Sequence, residues 1–222
     1  MQSSNVIPFR PRSEPEPLAF TIGARVDLRI GAVVAGVVRP RGDAQDAFSY
    51  SNLARLLRGA RMAWFERGLH APLSLAVPAE AQSDLDADLL NEAAIEAGCV
   101  RRALSFELCE KRVVADGPIL PEALRARGWG VALRADNACP LPFGTRARAL
   151  YGELVLTPPN GPDPFLAMED GDRSPLGRRL LAARAAGLVI TADTVRSAAQ
   201  ARTLAIAGFD RGGGPFAEAG LR

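Results

Sequence analysis

Short apolar segments alternate with amphipathic stretches of helical spacing along most of the chain, and this alternation constrains the fold more than any other feature. It opens with two apolar runs, ARVDLRI (residues 24–30) and AVVAGVV (residues 32–38), joined at Gly31. The first has period-two apolarity and the second reads as a buried strand, so the pair predicts an antiparallel hairpin. Ser51 then caps a helix in which Leu53, Leu56, Leu57, Ala60, Ala63 and Trp64 share one face. Further strands are expected at 72–77, 103–108, 129–133, 153–156 and 188–191. Further helices are expected within 83–97, at 121–127 closed by Gly128, near 145–150, at 175–186 and at 195–207. Seven strands and six helices in this order predict parallel β-structure with helices outside. No G-x-G-x-x-G follows the first strand, so a sheet closed into a barrel fits better than an open doubly wound one.

A chain of 222 residues suffices for one such barrel, expected over 19–222. Residues 1–18 carry Pro8, Pro11, Pro15 and Pro17 among charges and serines and read as a disordered tail. Within it, IPFRPR (residues 7–12) is either a short docking motif or inert. Lysine plus arginine number 27 against 25 acids, a balance that gives no electrostatic case for nucleic acid or an anionic membrane. No apolar run approaches the roughly 18 residues of a membrane span, and the amino terminus lacks a secretory h-region. A soluble, cytoplasmic protein is expected. Cys99, Cys109 and Cys139 are odd in number and show no CxxC spacing, which argues for reduced thiols rather than disulfides or structural zinc. Lys111 is the only lysine and His70 the only histidine, so any mechanism needing either has one candidate for each.

In barrels of alternating strands and helices, reacting groups lie at the carboxyl ends of strands. Those ends read Val38-Arg39-Pro40, Ala76-Val77-Pro78, Glu107-Leu108-Cys109-Glu110, Arg134-Ala135-Asp136-Asn137, Leu156-Thr157 and Ala192-Asp193-Thr194. The third is the most polar. No P-loop, HExxH or GxSxG is present.

Three segments in this order resemble the EAL domain family of cyclic-di-GMP phosphodiesterases. LSFELCEKR is similar to the family's LxxEITE strand, and GWGVAL to the segment before its paired aspartates. AGLVITADTVRSAAQARTLAIAGFD resembles its AEGVE strand, turn and helix, and is the most specific of the three. The resemblance spans residues 20–218 and implies a modified TIM-like (βα) barrel of α/β class with one antiparallel strand. It further implies, for active members, hydrolysis of a phosphodiester by a pair of divalent metals. The matching positions depart from that pattern. The signature glutamate falls on Ala35, with its arginine retained as Arg39; a metal-binding asparagine falls on Ala76. Glu107 and Glu110 match the two glutamates of ExTE, while the paired aspartates fall on Arg134 and Ala135 unless a bulge brings in Asp136. The catalytic lysine falls on Val155 and the aspartate beyond it on Thr157. The AEGVE glutamates fall on Asp193 and Arg196, and the late Gln-Gly on Gly213 and Gly214.

Two adjacent divalent metals need several carboxylates to offset four positive charges, and Mg²⁺ sheds water reluctantly. With Glu107 and Asp193 as the residual ligands, no bound metal and no cofactor are expected, and Mg²⁺ enters only if residual phosphodiesterase activity persists. Arg134 is expected to pair with Glu107 in the vacated metal position; alternatively Glu107 is neutral through burial or solvated in the mouth. Arg39 has two readings, a phosphate contact or a strand-end salt bridge. His70 reads as an exposed loop residue, Trp64 and Trp129 as packing, and Gly212–Gly214 as a flexible final turn. The resemblance with its emptied reactive positions implies a catalytically inactive module that binds another protein. The alternatives are a cyclic-di-GMP receptor that does not hydrolyse, using Arg39 with Glu107, Glu110 and Asp193, or a residual metal-dependent phosphodiesterase.

Overall fold

The computed structural model describes residues 19–135, 141–158 and 175–220, without the side chains of 44 and 45. The expected tail (1–18), Asp136, Cys139 and most of the loop at 158–174 lie outside the described residues. Eight strands close into one barrel in sequence order. β1 (Phe20–Asp27) and β2 (Val33–Pro40) form the expected hairpin. Gly31 turns it with φ +71°, a left-handed conformation that glycine adopts without a Cβ penalty. α1 (Ala44–Ala47) and α2 (Tyr50–Glu66) lead to β3 (Leu73–Ala76); α3 (Ala79–Gln82) and α4 (Ala87–Glu96) lead to β4 (Leu104–Cys109). α5 (Glu110–Asp116) and α6 (Ile119–Ala126) precede β5 (Gly130–Ala135), and α7 (Ala147–Leu150) precedes β6 (Glu153–Leu156). α8 (Pro175–Ala185), β7 (Val189–Ala192), α9 (Ala198–Ala207), β8 (Arg211–Gly213) and α10 (Pro215–Ala219) complete the order. From β2 to β8 each strand runs parallel to the next, and only β1 is antiparallel to its neighbours.

Alternation along each strand divides the buried residues into two shells. Leu73, Leu75, Phe106, Leu108, Val131, Leu133, Leu154, Leu156 and Ile190 face the helices and belong to the main apolar core. Trp64 and Trp129 join them, and their indole N–H groups donate to Ala71 O and Asn91 Oδ1, both at 3.0 Å. The other face of the strands is the barrel lumen. There the register aligns Ala76 with Glu107, Glu107 with Ala132, and Arg25 with Ala35 and Gly213.

Three expectations change. The first long helix begins at Tyr50 with Ser49 at its N-cap, not at Ser51. A helix, α5, starts directly after β4, where none was expected, and takes Glu110 out of the strand end. The glycine-rich terminus is no flexible turn: residues 211–213 form the eighth strand, and α10 follows with Pro215 in its first turn. Arg-Gly-Gly carries no apolar signal, yet the packing demands it. A Cβ at Gly212 would sit 2.6 Å from Leu28 Cδ2 and 2.9 Å from Val195 Cγ2.

Candidate functional site

The centre of the lumen is occupied by a charged side chain that sequence reasoning passed over. Arg25, on β1, is fully buried with no exposed side-chain surface. Its Nη2 lies 2.7 Å from Glu107 Oε1 and 3.9 Å from Asp193 Oδ1, and its Nη1 donates to Glu153 Oε1 at 3.2 Å. Glu153, at the start of β6, also accepts from Arg211 Nη1 at 3.2 Å and from the Thr191 hydroxyl. Asp193, just past β7, accepts from Arg39 Nη2 at 2.6 Å. The result is a column of alternating charge along the barrel. Arg211 and Glu153 lie at its amino-terminal end, Arg25 in the middle, and Glu107, Asp193 and Arg39 toward the mouth. Three guanidinium groups face three carboxylates, so the formal charge of the cluster is zero.

Burial disfavours the charged form of Arg25, but Glu107, Glu153 and Asp193 together outweigh that effect and raise its pKa above the ordinary arginine value. Glu107 is almost as buried as its partner; among the described residues neither of its carboxylate oxygens has a hydrogen-bond partner, and Oε1 meets Arg25 Nη2 as an ion pair. Across the sheet from Arg25, Ala35 supplies only a methyl group, which leaves the lumen room for the guanidinium.

Arg134 does not pair with Glu107. Its register partner on β4 is Cys109, two residues nearer the mouth than Glu107, and its Nη2 donates across the rim to Val77 O at 3.2 Å. Glu110 does not enter the lumen either: at the start of α5 it forms a buried ion pair with Arg179 of α8. Burial pushes the pKa of Arg179 down to about 10. Arg39 makes the strand-end salt bridge to Asp193, with 39% of its side chain still exposed. Ala35, Ala76 and Val155 are buried and apolar. His70 is exposed against the edge of Phe65. Cys99 and Cys109 are free thiols. Among the described residues, no three His, Cys, Asp or Glu groups are disposed to hold a metal as they stand. Beside β1 a cavity of about 810 Å³ is lined by Phe20, Gly23, Arg39, Arg41, Arg67 and Glu218, among others.

No family model and no curated protein matches the sequence. Solved structures do. PaMucR phosphodiesterase in complex with c-di-GMP superposes with a TM-score of 0.69 at 16% identity, covering 90% of this chain and 94% of that one. The EAL domain of Mycobacterium smegmatis DcpA gives 0.63 at 22% identity, covering 92% and 96%. Klebsiella pneumoniae BlrP1, in a calcium and cyclic-di-GMP complex, gives 0.66 at 15% identity, covering 93% of this chain but 57% of that longer one. The chain has the EAL-domain fold. The closed barrel and its single antiparallel strand are as the sequence resemblance implied. Among the described residues no helix is long and apolar enough to cross a membrane.

Sequence reasoning missed Arg25, Glu153 and Arg211. One signal was available for Arg25 and Glu153: ARVDLRI places charges at alternate positions and ELVL opens on one in an otherwise apolar strand, as side chains on a barrel's inner face fall.

Proposed function

We propose that this chain is a degenerate EAL domain that does not cleave cyclic-di-GMP and acts, within signalling related to that dinucleotide, by binding another protein. One observation carries the reading: the carboxylates at the barrel centre are already neutralised by guanidinium groups. Two divalent cations would add four positive charges to a cluster whose formal sum is zero, at an electrostatic cost that no remaining ligand offsets. Ala35, Ala76 and Val155 offer neither oxygen nor amine from the positions that supply metal ligands and the lysine in active relatives. The metal pair does not fit these residues. Exposed Met62 and Phe65, three residues apart on α2, support a contact face for a protein partner.

The expected outcome with cyclic-di-GMP and either Mg²⁺ or Mn²⁺ is no linear dinucleotide above the protein-free background, followed by chromatography. A tagged full-length chain is expected to retain a stoichiometric partner from its own cells. Metal-dependent turnover, or a pull-down that recovers no such partner, overturns the reading.

A second reading, a cyclic-di-GMP receptor without hydrolysis, is favoured by the half-exposed Arg39 beside a cavity that also carries Arg41 and Arg67. Guanidinium groups bind phosphate through directed, charge-assisted hydrogen bonds. Micromolar or tighter binding in calorimetry, unchanged by Mg²⁺, selects this reading over the first.

A further inference from the structure

We infer that the first half of β1 is a docking edge, on which a protein partner lays an extended segment with acidic side chains at alternate positions. The inference deepens the protein-binding reading above and rests on it for the existence of a partner.

The barrel closes over only part of β1. β8 pairs with Arg25, Val26 and Asp27, whereas among the described residues Phe20 to Ala24 have a strand partner only in β2. Successive residues of a strand point to opposite faces, yet Phe20, Thr21, Ile22 and Gly23 all line the cavity of about 810 Å³. A cavity that meets both faces of four consecutive residues runs along the edge of the strand. Such an edge offers backbone donors and acceptors to an added strand, and the side chains beside it select the sequence. Thr21 and Gly23 share the lumen face with Arg25, and Arg39 is the register partner of Thr21. A Cβ at Gly23 would lie 3.4 Å from Arg39 Nη1 and 3.5 Å from Glu218 Oε1, so both charges stand over the edge. On the outer face Phe20, Ile22 and Leu69 are half-buried against the apolar core. Arg41 and Arg67 are exposed at the margins. Three arginines against one glutamate leave the lining at a formal plus two, which selects acids on one face of the added strand and apolar side chains on the other. Two other occupants fit less well. In the chain's own residues 1–18, Glu14 and Glu16 sit beside Pro15 and Pro17, which lack the N–H a ladder needs. A second copy paired edge to edge would set one arginine cluster against another.

The probe is a fluorescein-labelled heptapeptide of alternating valine and glutamate, read by anisotropy against the full-length chain. It is expected to bind saturably, and the same peptide with lysine for glutamate is expected not to bind. A fully N-methylated version keeps the charge and loses every backbone donor, so it is expected to bind about tenfold more weakly or worse. Arg41→Gln with Arg67→Gln is expected to weaken the parent peptide as much, with the thermal midpoint unchanged. An acidic peptide that does not bind overturns the inference, as does an N-methylated peptide or a double variant with undiminished affinity. Tighter binding in Glu14→Gln with Glu16→Gln would give the edge to the chain's own amino terminus. Self-association that the peptide dissolves would give it to a second copy, and displacement by cyclic-di-GMP would give it to the dinucleotide; each of these also overturns the inference. A partner retained equally by wild type and the Arg41, Arg67 double variant sinks the docking edge and leaves the functional reading standing. Peptide binding with no partner recovered does the reverse.

Discussion

A guanidinium with no solvent-exposed surface depends on its neighbours. Removing one partner of a buried ion pair leaves an uncompensated charge, a loss of about 3–5 kcal/mol. Arg25→Gln is therefore expected to destabilise the barrel by about that much in urea unfolding. Arg211→Gln, whose side chain is 29% exposed, should lose about 1 kcal/mol or less. Equal losses would show that the column is not centred on Arg25. Tyr151 and Cys99 tie stability to alkaline pH. Burial raises both pKa values, and among the described residues the Tyr151 hydroxyl has no hydrogen-bond partner. A raised folded-state pKa means the native chain binds more protons than the unfolded one once the pH passes the ordinary thiol and phenol values. The stability these groups contribute is whole below that range and declines as pH rises toward their folded-state values. Tyr151→Phe removes an unpaired buried hydroxyl, so it should be neutral or stabilising by up to about 1 kcal/mol at neutral pH. It should also flatten the decline above pH ~10. Matching pH profiles for both proteins in denaturant titrations would refute the assignment. Arg25 itself was written in the sequence yet not readable there, because alternation separates two faces of a strand without saying which one becomes a lumen.

Helix starts and strand ends divide into those held by side chains and those held by tertiary contacts. Ser197 accepts a hydrogen bond from Gln200 N at 3.1 Å and so caps α9, whereas Ser49 makes no such bond to α2. Ser197→Ala is expected to lose about 1 kcal/mol and Ser49→Ala only a few tenths, measured as shifts in the urea midpoint. The closing strand tests a tertiary contact. Gly212→Ala pushes a methyl into Leu28 and Val195, so a loss of about 1–3 kcal/mol is expected from overpacking. A variant as stable as wild type would mean that β8 does not seat as described. Strands with strong β-branched or leucine content were legible nearly to the residue: 153–156 was expected and β6 (Glu153–Leu156) forms. α5 and β8 were not. The first is seven residues long, and the second is three residues of which two are glycine. β8 exists because β1 and β7 complete its hydrogen bonds, and α5 because it packs against β4, β5 and α6 and pairs Glu110 with Arg179, not through intrinsic preference.

Taken whole, the molecule has a barrel whose centre is held by its own charges. Chelation with EDTA is accordingly expected to leave the thermal midpoint unmoved; a fall on chelation would point to a bound ion and against the proposed function. The alternation of apolar strands with amphipathic helices already specified parallel α/β structure with a hairpin start, because burial on both sides of a parallel sheet leaves that pattern, and the missing G-x-G-x-x-G favoured closure into a barrel. The strands and their ends also held the contrast between acids such as Glu107 and Asp193 and the apolar Ala35, Ala76 and Val155. Partner choice was beyond such reading. Whether Glu107 meets Arg134 or Arg25 depends on the register of β4 with β5 and on the closure of β1 against β2 and β8, contacts that join residues far apart in the chain. Closure turned a polar stripe on the first strand into the charged axis of the barrel, since side chains from opposite walls of a small barrel must meet at its centre.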